Sequence, residues 1–182
     1  MIYIYKQKFT SLQEAIVRLL CIKAGLSLNQ RQIAKRLNIT SPAVRKPLLS
    51  LEKKEIIEMK QDNESKRWSI TLNRENHKVT QVKRVDNLKQ LYESGLVDTL
   101  EEAYAGATII VFGSYARGDD SSTSDIDIAI IGRKEKKLEL TVYEKILERK
   151  ISIQAYNSLQ EVHKSLRENM CNGIVVAGGI EL

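Results

Sequence analysis

Apolar positions recur at helical spacing through the first third of the chain, and at strand spacing later. Ala15, Ile16, Leu19, Leu20 and Ile22 form one stripe behind Ser11, which predicts an amphipathic helix over 11–24, closed by Gly25. Asn29 opens a second helix over 30–37, and Asn38-Ile39-Thr40 makes a tight turn, with Asn38 suited to a left-handed conformation. Ser41-Pro42 begins a third helix, Pro42 standing in the tolerated first position. Val44, Leu48 and Leu51 line its buried face. Pro47 removes a backbone donor and is expected to kink or shorten it. Residues 56–60 and 67–72 read as two strands around the polar turn 62–65. At the start, Ile2 and Ile4 alternate with Tyr3 and Tyr5 as a short strand.

The second half reads differently. Val79, Val82, Val85, Leu88, Leu91 and Tyr92 sit at helical spacing and predict a connecting helix over 76–94, broken by Gly95. A further helix covers 97–105. Residues 108–112 are a continuous apolar run, the signature of a buried strand. Gly113-Ser114 interrupts it, and 115–117 start a short helix that Gly118 stops. After the polar loop 119–124, residues 125–131 alternate strictly. Asp125, Asp127 and Ala129 share one face; Ile126, Ile128 and Ile130 share the other. A charged turn at 132–137 leads to a helix over 138–150, with Leu140, Tyr143, Ile146 and Leu147 inward. Residues 151–156 alternate as a third strand, and Ser158 caps a last helix running to 170. The apolar tail 173–180 reads as a short strand or as an oligomer contact that would make a homodimer.

This order predicts an α+β chain of two domains. Residues 1–75 form helices followed by a hairpin, 76–94 connect, and 95–182 form a small α/β domain on a mixed sheet. A length of 182 residues suits two small domains, and 42% hydrophobic residues suffice for their cores. No apolar run approaches the roughly 20 residues that span a bilayer, so no membrane partner is expected. Cys21 and Cys171 are distant and lack neighbouring histidines, which points to reduced thiols in a cytoplasmic protein rather than zinc or a disulfide. Charge is unevenly placed. Residues 1–75 carry 15 Lys and Arg against 7 Asp and Glu, while the remainder is near neutral. A polyanion partner is expected for the first third alone.

Residues 108–131 carry the chemistry. A strand that ends in Gly113-Ser114 and turns into a helix directs backbone N–H groups outward, where a phosphate is the natural guest. Gly113 permits close approach, and Ser114 adds a hydroxyl. Two carboxylates on one strand face, Asp125 and Asp127, are a common means of holding Mg²⁺, whose remaining ligands come from water and substrate phosphates. Asp119 and Asp120 read as loop solvation. His77 and His163 read as surface residues, and Trp68 as packing on its own domain.

Gly113-Ser114, Ala116-Arg117-Gly118, Ser124-Asp125 and Asp127 together resemble the signature of the polymerase-β-like nucleotidyltransferases, especially their minimal members. The resemblance implies an NTP–Mg²⁺ substrate, with Gly113, Ser114 and Arg117 binding nucleotide and Asp125 and Asp127 as catalytic metal ligands. It implies transfer of a nucleoside monophosphate to a hydroxyl, and, since minimal members often act as antitoxins, a protein partner such as a toxin. That family carries a third carboxylate on the strand after Asp-x-Asp. Here that strand offers Ser152, Gln154 and Tyr156 to the site, none of them acidic, and Glu148 lies on the preceding helix.

Residues 11–73 resemble the winged helix-turn-helix domains, many of which bind duplex DNA. The candidate DNA contacts are Ser41, Arg45 and Lys46 on the third helix and Lys66 and Arg67 at the wing turn. Two function classes follow: a nucleotidyltransferase carrying a DNA-binding module, or a DNA-binding regulator or antitoxin whose second domain senses nucleotide or is catalytically degenerate.

Overall fold

The computed structural model describes residues 9–63 and 66–180, so the strand expected at 2–5 lies outside the described residues. The architecture is α+β in two compact units, Met1–Val79 and Thr80–Leu182.

The first unit holds α1 (Ser11–Ile22), α2 (Gln30–Arg36), α3 (Ser41–Lys53), β1 (Ile57–Gln61) and β2 (Trp68–Leu72). The cap of α1 is Thr10, one residue before the expected Ser11. Its hydroxyl accepts from the Gln13 N–H while the Gln13 side chain accepts from the Thr10 N–H. Asn29 and Gln32 close the same reciprocal pair at α2. Asn38 turns the chain at φ 53°. Pro47 does not shorten α3, which runs 13 residues and buries Val44, Leu48 and Leu51. The antiparallel β1–β2 hairpin gains a bridge from Leu28 to Ile70. Trp68 is 40% exposed and does not pack into the unit's core as expected.

The division between units falls near the start of α4 (His77–Glu93). The second unit continues with α5 (Leu96–Ala103), β3 (Thr108–Phe112), α6 (Gly113–Arg117), β4 (Ile126–Ile131), α7 (Thr141–Leu147), β5 (Ile151–Tyr156), a 3₁₀ turn at Leu159–Glu161, α8 (Lys164–Cys171) and β6 (Ile174–Ala177). Its sheet has the order β5-β4-β3-β6. Only β4 and β5 run parallel, so the sheet is mixed. Ile126, Ile128 and Ile130 pack with Ile109, Val111 and the α5 residues Leu96, Val97 and Leu100 on one face. The opposite face is not simply polar. Ala129 packs there with Ile110, Phe112, Leu159, Val162 and Met170 in a second, smaller core.

Three helices depart from the sequence pattern. Along α4 the buried positions are Val79, Lys83, Asn87, Gln90 and Leu91, whereas Val85 is 66% exposed and Tyr92 also faces solvent. The polar side chains Lys83 and Asn87 are drawn inward by partners distant in sequence. The helix expected over 138–150 is confined to α7. Tyr104 hydrogen-bonds the Lys136 backbone, which lays Leu138 and Leu140 over the core as coil, and Glu148 at φ 51° ends the helix. Ile146, expected inward, is 54% exposed. Ser158 precedes only the 3₁₀ turn, because buried Val162 adopts extended backbone before α8 begins.

Candidate active site

The register of β3 and β4 sets the site. Phe112 lies opposite Asp127, so Gly113, one residue on, arrives beside the Asp127 carboxylate. Gly113 has φ +73°, and a Cβ built there would stand 2.5 Å from Asp127 Oδ2. Glycine is therefore demanded twice, by backbone conformation and by the neighbouring carboxylate. The short helix α6 follows at once and ends on Gly118 at φ 81°.

Ser114 is half-buried at the start of α6, and its carbonyl accepts from the N–H groups of Gly118 and Asp119. Arg117 is exposed and pairs with Asp119, Nε to Oδ2 3.2 Å. The loop beyond is tightened by Ser121 and Ser124, with the Ser121 N–H donating to Ser124 Oγ and the Ser124 N–H to the Ser121 carbonyl. It ends at Asp125, which is exposed and lies one residue before β4 rather than within the strand expected over 125–131. Asp127 is half-buried. Burial holds its carboxyl above the ordinary value of 3.8, and the charge of Asp125 raises it further. The two carboxylates thus repel one another, a condition that a cation would relieve.

On the parallel strand β5, Ser152 lies beside Asp127 and Gln154 beside Ala129. Gln154 is turned to its own strand, its Oε1 accepting from the Tyr156 hydroxyl at 2.9 Å. Ser152 is the β5 residue paired with Asp127. Among the described residues, no three His, Cys, Asp or Glu side chains are grouped so as to hold a metal ion. Glu148 is exposed on the turn after α7. A cavity of about 410 Å³ opens beside Asp125, walled in part by Thr141, Lys145, Glu148 and Lys150. A larger cleft of about 850 Å³ lies at the other end of the sheet, by Thr108 and Ile131, away from both aspartates.

Asp120 is not a solvated loop residue. It is 1% exposed, and its carboxylate binds Lys83, Asn87 and Arg149. Sequence reading missed this group because its members are scattered. A lysine and an asparagine four apart on one helix, Lys83 and Asn87, were the available signal.

In the first unit, Arg45 and Lys46 are exposed on α3, and Ser41 is half-buried at its start, its carbonyl accepting from Gln30 Nε2. Lys66 and Arg67 are exposed before β2, Lys66 at φ 55°. His77 and His163 are exposed. No helix among the described residues is long and apolar enough to cross a membrane.

The family profile described as Nucleotidyltransferase domain matches residues 93–173, and the MarR family profile matches residues 13–68. MJ0126 of Methanocaldococcus jannaschii, named by inference a protein adenylyltransferase, is 38% identical over 78 residues, covering 39% of this chain and 80% of that one. Two solved structures show a looser likeness. The adhesin competence repressor AdcR of Streptococcus pyogenes has a TM-score of 0.42 and 23% identity, over 55% of this chain and 71% of that one. MepR, a transcription regulator from Staphylococcus aureus, has a TM-score of 0.41 and 28% identity, over 53% and 69%. With 80% of the archaeal relative covered at 38% identity, and with the Nucleotidyltransferase domain profile spanning Gly113, Asp125 and Asp127, the chain belongs to the nucleotidyltransferase family, that domain following the segment that the MarR family profile matches.

Proposed function

We propose that the second unit binds an NTP with Mg²⁺ at Asp125 and Asp127 and transfers a nucleoside monophosphate to a hydroxyl acceptor, the acceptor oxygen bonding the α-phosphorus as its proton is lost and the α–β phosphoanhydride breaks to release pyrophosphate. The observation that carries this reading is the packing of Gly113 against Asp127. The sheet register spends a left-handed glycine to bring the strand-to-helix turn and a carboxylate to one point. Both aspartates are hard oxygen donors, and their mutual repulsion fits a dication. Gly113 seats the strand-to-helix turn against Asp127, Ser114 supplies a hydroxyl, and Arg117, at the surface and paired with Asp119, supplies positive charge. Asp125 and Asp127 would hold the Mg²⁺, which would supply neutralisation of phosphate charge. The name of the archaeal relative supports adenylate as the group and a protein hydroxyl as the acceptor.

The first unit is proposed to bind duplex DNA through Ser41, Arg45, Lys46, Lys66 and Arg67. The match to the MarR family and the excess of basic residues over 1–75 support this. A second reading is favoured by Ser152. It places a neutral hydroxyl beside Asp127 where a carboxylate would help activate the acceptor, which suits a regulator that responds to nucleotide more than one that turns it over. Labelled-NTP transfer to protein and nucleic-acid acceptors separates the two. Transfer that disappears in Asp125→Ala and Asp127→Ala supports the enzyme; binding without transfer supports the regulator.

A further inference from the structure

We infer that Asp120 is a positioning residue for the metal-binding pair, held by Lys83 and Arg149 as a buried ionic clamp. The inference rests on the proposed binding of Mg²⁺ and nucleotide at Asp125 and Asp127. Asp120, Lys83, Asn87 and Arg149 are all nearly inaccessible to solvent. Oδ1 of Asp120 accepts from Lys83 Nζ and from Asn87 Nδ2, the latter at 2.8 Å; Oδ2 accepts from Arg149 Nη2 at 3.3 Å.

The clamp joins the segments that present the site. Asp120 lies in the loop that ends at Asp125, and the Ser121–Ser124 hydrogen bonds leave that loop little freedom between anchor and ligand. Arg149 lies in the turn that feeds β5, three residues before Ser152, the neighbour of Asp127. The Ile126 N–H donates to the Lys150 carbonyl at 2.8 Å, so that turn also carries the start of β4. Asn87 donates to the Tyr115 carbonyl at 2.9 Å and thereby holds α6, the helix that begins at Gly113. One carboxylate on α4 donors therefore ties together the loop of Asp125, the turn before β5 and, through Asn87, the Gly113 helix. Charged hydrogen bonds from separate elements fix distance and direction, whereas apolar packing fixes mainly volume.

That difference supplies the test. Buried ion groups can often be replaced by apolar side chains of similar volume without loss of folding. The full-length chain would carry Lys83→Met, Asp120→Leu and Arg149→Met together. Mn²⁺ affinity would be read by electron paramagnetic resonance in the presence of a non-hydrolysable NTP analogue, and folding by calorimetry. The expected result is a cooperative unfolding transition retained, with Mn²⁺ affinity reduced about 10–100-fold. A folded triple variant whose affinity stays within about threefold of the unaltered chain overturns the inference, since the effect expected of a ligand-supporting group is larger. Should the triple variant fail to fold, Asp120→Asn is read in the same way by the same two measurements. If the unaltered, folded chain binds no Mn²⁺ with nucleotide, the proposed function falls, and the positioning role falls with it. Loss of affinity confined to the clamp variants separates the two.

Discussion

Gly113→Ala is the substitution whose effect the structure sets most narrowly. Two costs arise. A non-glycine residue at φ +73° costs about 1–2 kcal/mol in backbone strain. The added Cβ would also lie 2.5 Å from Asp127 Oδ2, closer than real Cβ contacts come. The carboxylate must retreat by about half an ångström or more, and displacements of this order at a reacting site cost up to about 100-fold. Gly95→Ala isolates the first cost, because Gly95 has φ +76° and nothing within 4 Å of a built Cβ. Both variants should lose roughly 4–8 °C in thermal midpoint for each kcal/mol, as expected of a domain of this size. Gly113→Ala alone should lose Mg²⁺-dependent NTP affinity, by about 10–100-fold in calorimetric titration. Equal affinities in the two variants would refute the reasoning, for the clash with Asp127 would then have no bearing on the ligand.

Asp127 gives a pH test. A carboxyl held above its ordinary value adds to stability only while protonated, so its contribution is present at low pH and lost as pH rises through the raised value. Asp127→Asn should therefore raise the thermal midpoint of the metal-free protein at neutral pH, narrow that gain in acid, and abolish the further rise expected when Mg²⁺ is added to the unaltered chain. Ser152→Asp should raise nucleotidyl transfer by roughly one to two orders of magnitude in the labelled-NTP assay. Gln154→Asp, beside Ala129, should not. For the first unit, Arg45→Ala with Lys46→Ala should reduce the slope of log K against log salt for duplex DNA by about 2, measured by fluorescence anisotropy. An unchanged slope would remove α3 from the DNA surface.

Local chemistry was legible in the sequence where a residue answers to its neighbours. Asn38 and Gly118 adopt left-handed backbone where the turn patterns demanded it. The alternation of Ile126, Ile128 and Ile130 with Asp127 and Ala129 survives in β4. Choices made by distant partners were not legible. Lys83 turns inward because Asp120, 37 residues on, is buried against it, and periodicity over 76–94 ranked Val85 above Lys83 for burial. Ile146 was assigned to the core by spacing alone, but α7 ends one residue later and leaves it in solvent. The polar face of β4 proved half apolar, since α8 and the turn before it cover Ala129 with Val162 and Met170, a packing that only the folded topology specifies. At the candidate site, spacing named Asp125, Asp127 and Gly113 but not their support, because Arg149 and Asp120 have no motif of their own.

The most direct measurement is calorimetric titration of the full-length protein with NTP in the presence and absence of Mg²⁺, repeated on Asp125→Ala and Asp127→Ala. Binding by the unaltered chain that requires Mg²⁺ and is lost in both variants is the predicted result. Binding that persists in both variants, or that ignores Mg²⁺, would contradict the assignment of these two carboxylates to a metal–nucleotide site.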